Sequence, residues 1–196
     1  MELLDARRSV LLLIDLQGKL VRIVEQPART LAVAKRLLRL AGMFEVPVLL
    51  LEQYPKGIGP TDPEIRTAFD ALPTPKRLLE KTTFGGCGQP GFATLIDGLR
   101  PRSGGAPRQV VVGGLEAHVC VIQTVIGLLR EGDQVHLCWD AVSGRGEEYV
   151  RNALARMAQA GAIMTNHESV GFKWARDKNH PRFREMSELF KSGQPA

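Results

Sequence analysis

Short apolar runs alternate along the chain with stretches whose apolar residues recur every three or four positions, the periods of buried strands and amphipathic helices. Val10 to Asp15 is an unbroken apolar run ended by an acid, the pattern of a strand covered on both faces of a parallel sheet. Pro27 opens a helix that runs to Gly42, with Leu31, Ala34, Leu37, Leu38 and Ala41 on one stripe and Lys35, Arg36 and Arg39 outside it. The same reading places strands at Pro47–Leu51, Arg77–Glu80, Gln109–Val112, Gln134–Trp139 and Ala162–Thr165, and helices at Asp62–Phe69, Phe92–Leu99 and Glu147–Gln159. The tail from His167 is helical in parts, with Pro181 in the first turn before Arg182–Lys191. Turn residues make Pro55–Pro60 and Thr82–Gly91 irregular loops, and Pro101–Pro107 a connector.

Six strands alternating with helices specify an α/β fold of three αβα layers, with a mainly parallel six-stranded sheet of Rossmann-like type. At 196 residues the chain suits one domain over 1–196. Ligands of such sheets bind outside the carboxyl ends of the strands, where strand order reverses. Three potentially reactive residues stand at those ends: Asp15, Lys81 and Cys120. Cys120 follows the paired glycines Gly113 and Gly114 and opens the helical pattern of Val121, Val125, Leu128 and Leu129. In the first turn of a helix a thiol meets unpaired N–H groups and the positive end of the dipole, and is expected to ionise more easily than a free cysteine.

Composition narrows the setting. Hydrophobic residues at 44% and charged residues at 24% are ordinary for a globular protein, and the longest apolar run, Val10–Ile14, is far too short to span a membrane. Arg7 and Arg8 before that run superficially suggest a leader, but Asp15 interrupts it and no small-residue cleavage site follows, so a cytoplasmic location is expected. The net charge of +5 is dispersed among acids, without a basic block or interleaved aromatics, which argues against nucleic acid as a partner. Three cysteines without CxxC spacing fit a reducing compartment better than disulfides or zinc.

A thiol, a carboxylate and an ammonium make a coherent set. Lys81 would favour the thiolate, and Asp15 could take the thiol proton and pass it to a leaving amine, giving acyl transfer through a thioester. The motifs Leu12-Leu13-Ile14-Asp15-Leu16-Gln17, Glu80-Lys81-Thr82-Thr83-Phe84 and Gly114-Leu115-Glu116-Ala117-His118-Val119-Cys120 resemble, in order and spacing, those of the isochorismatase-like cysteine hydrolases. Glu52-Gln53-Tyr54-Pro55-Lys56-Gly57 and Asp177-Lys178-Asn179-His180-Pro181-Arg182-Phe183 are similar to the isochorismatase domain-containing subgroup. The resemblance implies Asp15, Lys81 and Cys120 as a catalytic triad. It also implies a cis peptide between Leu115 and Glu116, an oxyanion hole of the Glu116 and Cys120 N–H groups, and a homo-oligomer.

Nicotinamidases of this superfamily carry Asp-x-His at the end of the second strand, with a further His, and bind a metal there. Glu52-Gln53-Tyr54 departs from that pattern, so the resemblance implies neither metal nor cofactor, and an amide-like small molecule rather than nicotinamide as substrate. The competing expectation is an idle scaffold that kept the fold. Gln17, Tyr54, Phe84 and His118 are candidate substrate contacts; for Tyr54 and Phe84 packing against loops, and for His118 a loop hydrogen bond, explain the residue equally well. Cys138 reads as core, Cys87 as an incidental exposed thiol, His167 and His180 as structural or exposed, and Asp140 as fixing the turn Ala141–Gly144.

Overall fold

A computed structural model describes residues 2–100 and 106–192. The strands are β1 (Ser9–Ile14), β2 (Val48–Gln53), β3 (Lys76–Lys81), β4 (Gln109–Gly114), β5 (Gln134–Val142) and β6 (Ile163–Thr165). They form one parallel sheet in the order β3-β2-β1-β4-β5-β6. The chain therefore moves outward from β1 to β3 and then returns to lay β4 on the other side of β1. That reversal opens a crevice at the carboxyl ends of β1 and β4.

Helices α2 (Pro27–Met43), α4 (Pro63–Asp70), α8 (His167–Ala175) and α9 (Phe183–Lys191) cover one face, where Leu11, Leu13, Val48, Leu50 and Val111 meet Leu37, Leu38, Ile65 and Phe190. Helices α5 (Phe92–Leu99), α6 (Ile122–Arg130) and α7 (Glu147–Gln159) cover the other, packing Phe92, Val125 and Met157 on Val10, Leu12, Leu49 and Val112. Alternate residues of each strand enter opposite layers, which is why β1 and β2 have no polar face. The short helices α1 (Gly18–Val21) and α3 (Pro55–Ile58) lie beside the carboxyl edge.

Helix α3 corrects the expectation of an irregular Pro55–Pro60. Tyr54 adopts a left-handed conformation (φ 36°), Pro55 starts the turn with its fixed φ, and Gly59 ends it at φ 96°. Strand β4 runs through both glycines to Gly114, and β5 continues past Trp139 to Val142, with a slip in their ladder between Val112 and Gly114. A side chain on Gly114 would lie 2.1 Å from the Ile14 carbonyl oxygen, and its φ is +130°, so only glycine allows β4 this close to the end of β1. Positions 101–105 of the expected connector Pro101–Pro107 lie outside the described residues.

Candidate active site

Four neighbouring strands deliver one side chain each to the carboxyl edge. Lys81 ends β3, Gln53 ends β2 in register with it, Asp15 follows β1, and Cys120 follows β4. The Lys81 ammonium crosses over β2 to reach Asp15 Oδ2 at 2.8 Å and meets Gln53 Oε1 at 2.6 Å on the way. The Thr83 and Phe84 carbonyls accept from the same ammonium at 3.3 and 3.1 Å. Neither Asp15 nor Lys81 exposes any of its side chain. Four acceptors around one buried cation satisfy it far better than a lone carboxylate could.

Asp15 has the left-handed φ of 52°, which turns its side chain back over the sheet edge. Its Oδ1 is buried and without a hydrogen-bond partner. Burial raises the Asp15 pKa above the ordinary carboxylate value, with the Lys81 charge working against it. The result is a carboxylate with one uncommitted oxygen and an increased tendency to take a proton.

Cys120 lies in a turn of π-helix, Ala117–Val121, between β4 and α6 rather than in the first turn of a regular helix. The Leu115–Glu116 peptide before it is cis. Ala117 N–H donates to the Ser143 carbonyl, and Val119 and Val121 N–H both donate to that of Glu116, fixing the turn. The Glu116 carboxylate is held by Arg145 at 2.9 Å. Cys120 Sγ donates to Gln53 Oε1 at 4.0 Å. Contrary to the expectation of an easily ionised thiol, its pKa is pushed up to about 12, first by burial and then by the Asp15 charge, with Lys81 only partly compensating. Burial among apolar residues outweighs the dipole of one short turn.

Sequence reasoning missed Gln53, whose Oε1 is shared by Lys81 and Cys120 while its Nε2 donates to the Thr82 carbonyl at 2.9 Å, which sets the orientation of the amide. Its position at a strand's carboxyl end is the same signal that singled out Asp15, Lys81 and Cys120. Gln17, expected to touch substrate, is fully buried. Its Oε1 accepts from Gln53 N–H at 2.7 Å, and its Nε2 donates to the Gln53 and Gly59 carbonyls, so its polar atoms tie β2 and the end of α3 to β1. Glu52 likewise accepts from the Thr61 N–H and hydroxyl, at 2.8 and 2.7 Å.

The other candidates stand on the rim. Tyr54 and Phe84 are each more than half exposed. Tyr54 folds its ring over Gly57, where an added Cβ would come within 2.4 Å of it. His118 packs against Tyr149 with ring centroids 5.0 Å apart, and its buried Nδ1 has no partner, so the expected loop hydrogen bond is not formed at that nitrogen. Cys87 is half-buried over Gly127 and donates to the Thr124 carbonyl at 3.6 Å, which corrects the exposed-thiol expectation. Asp140 accepts from the N–H and Nδ1 of His167 at the start of α8 rather than fixing the Ala141–Gly144 turn.

The family model for the isochorismatase domain matches residues 9–169. Isochorismatase domain-containing protein 2 of Homo sapiens is 37% identical over 189 residues, covering 95% of this chain and 85% of that protein. Among solved structures, a MAR1 ribonuclease from Caenorhabditis elegans superposes with a TM-score of 0.87 at 32% identity, over 100% of this chain and 95% of that one. The YcaC gene product of Escherichia coli, described as an octameric hydrolase of unknown specificity, shares the fold with a TM-score of 0.80 at 23% identity, over 98% of each chain.

Proposed function

The chain belongs to the isochorismatase family, and on that premise we propose that it is a metal-independent cysteine hydrolase cleaving the C–N bond of a small amide. The observation that carries the reading is the buried Asp15–Lys81 pair, whose free Asp15 oxygen and basic shift stand beside the Cys120 thiol. Asp15 takes the thiol proton as Sγ attacks the carbonyl carbon, and the oxyanion is received by the Glu116 and Cys120 N–H groups. Collapse breaks the C–N bond, and Asp15 returns the proton to the leaving amine. Asp15 then takes a proton from water, whose oxygen attacks the thioester, and gives it back as the acid is released and the thiol restored. Lys81 holds the local charge near neutral throughout. The histidines that hold the metal in nicotinamidases have no counterpart at Glu52-Gln53-Tyr54, and this favours a mechanism without metal.

The three unpaired thiols suit a reducing cytoplasm, and the octameric E. coli relative supports a homo-oligomer. Among the described residues no helix is long and apolar enough to cross a membrane.

A second reading, a catalytically idle scaffold, is favoured by one observation: a thiol held up to about 12 is inert at rest. Incubation with a panel of small amides, read by intact-mass spectrometry and product release, separates the two. Acylated Cys120 and turnover that disappears in Cys120→Ala are expected. An RNA oligonucleotide is the control, because the C. elegans relative is named a ribonuclease. Amide turnover surviving in Cys120→Ala, or RNA cleavage with every amide untouched, overturns the proposal.

A further inference from the structure

A cleft of about 590 Å³ borders the loop that holds Lys81, and none of Asp15, Lys81 and Cys120 lines it. One wall is the Thr83–Gly88 loop, whose Thr83 and Phe84 carbonyls hold the Lys81 ammonium. His118, two residues before Cys120, also lines it. The floor is α6, where Ile122, Ile126 and Arg130 follow one another at intervals of four and so form one row on the helix surface. Arg156 of α7 joins Arg130 among the lining residues.

The cleft is therefore apolar along α6 and cationic at Arg130. None of its lining residues is acidic. Most arginines of the chain are committed: Arg108 to Asp97 and Asp133, Arg145 to Glu116, Arg176 to the Leu3 and Leu4 carbonyls. Among the described residues the side chains of Arg130 and Arg156 make neither an ion pair nor a hydrogen bond, and they share this one cleft. The acids whose charge reaches Cys87 in the cleft are Glu131 and Asp133, and Asp133 is buried against Arg108 at 2.7 Å. Two unneutralised guanidiniums in a concave, partly apolar site attract an anion and can bind it in bidentate fashion.

Resting on the hydrolase reading above, we infer that this cleft is the subsite for a substrate tail, an apolar spacer ending in a carboxylate held by Arg130 and Arg156. The eight steps of helical rise from Ile122 to Arg130 set its length, about 12 Å at 1.5 Å per residue. The substrate class is then an amide bearing a distant carboxylate rather than a small neutral amide.

The test uses monoamides of linear dicarboxylic acids of increasing length beside the matching uncharged fatty amides. kcat/KM is measured for the natural protein and for the double variant Arg130→Gln/Arg156→Gln. The acid of matching length is expected to be preferred at least tenfold, and the double variant should bring that ratio toward one through KM. Calorimetry of the same monoamides on Cys120→Ser reports binding without turnover. Arginine-dependent binding with no amide hydrolysed by the natural protein upholds the cleft and overturns the hydrolase reading. Equal hydrolysis of charged and uncharged amides, binding that the double variant leaves unchanged, or no binding of any monoamide overturns the cleft.

Discussion

The Lys81 ammonium and the Asp15 carboxylate meet at 2.8 Å with neither side chain exposed to water. Two buried opposite charges tolerate each other only as a pair, so removing one strands the other. Lys81→Met is expected to lower unfolding free energy by about 3–5 kcal/mol in urea titrations. The double variant Asp15→Asn/Lys81→Met, which leaves no charge behind, should recover part of that loss. A double variant as unstable as the sum of its singles would show that the pair is not coupled.

Thr124 joins the turn bearing Cys120 to the loop that holds Lys81. Its hydroxyl donates to the Cys120 carbonyl at 2.7 Å and accepts from the Gly86 N–H at 2.8 Å. Thr124→Val keeps the shape and removes both bonds, leaving a buried N–H unpaired. A loss of about 1–3 kcal/mol is expected, together with lower kcat on whichever amide is turned over. Unchanged stability in thermal unfolding would overturn the link.

The thiols give the protein an alkaline weakness. Burial holds Cys120 up to about 12 and Cys87 up to about 11, against about 8.5 for an unfolded cysteine. Raised folded values mean that the native state keeps protons the unfolded chain gives up, so this contribution is intact below about pH 8.5 and is lost as pH rises toward 11–12. Urea midpoints should fall across that window. Iodoacetamide at pH 8, followed by mass spectrometry, should label both thiols far more slowly in the folded protein than in urea.

His136 imposes the opposite limit at acid pH. It is buried on β5 with both ring nitrogens unpartnered, and burial, with a smaller effect from Lys173, pushes its pKa down to about 4. The unfolded chain protonates it from about pH 6.5 downward while the native state does not, so stability falls as pH drops from there toward about 4. His136→Leu should flatten that limb and add about 1–2 kcal/mol at pH 5, since it removes two unpaired buried nitrogens. NMR titration that finds His136 protonating near 6.5 would refute the account.

The layered sheet was legible because β1, β2 and β4 each contain an unbroken buried apolar run, Val10 to Ile14, Val48 to Leu51 and Val110 to Val112, with Asp15 after the first and paired glycines after the last. That Asp15, Lys81 and Cys120 come together was legible for the same reason, since strand ends converge in a parallel sheet. Less legible was anything that depends on surroundings distant in sequence. The dipole at Cys120 can be read locally, whereas the burial that reverses its effect comes from side chains far along the chain. Gln17 looked like a site residue because it stands two positions after Asp15, and its amide is consumed by Gln53 and Gly59, 36 and 42 residues away. Gln53 carried no charge to attract notice, and its importance lies in which two groups share its oxygen.

The contact of Gly114 with the backbone of Ile14 sets the terms on which this site can change. No side chain fits between them, so the turn bearing Cys120 is held close against the end of the strand bearing Asp15. Adaptation to a new ligand then belongs to the rim: Tyr54 above α3, Phe84 on its loop, and the outer face of α6. A designer seeking a different specificity would vary those positions and leave the two central strands alone.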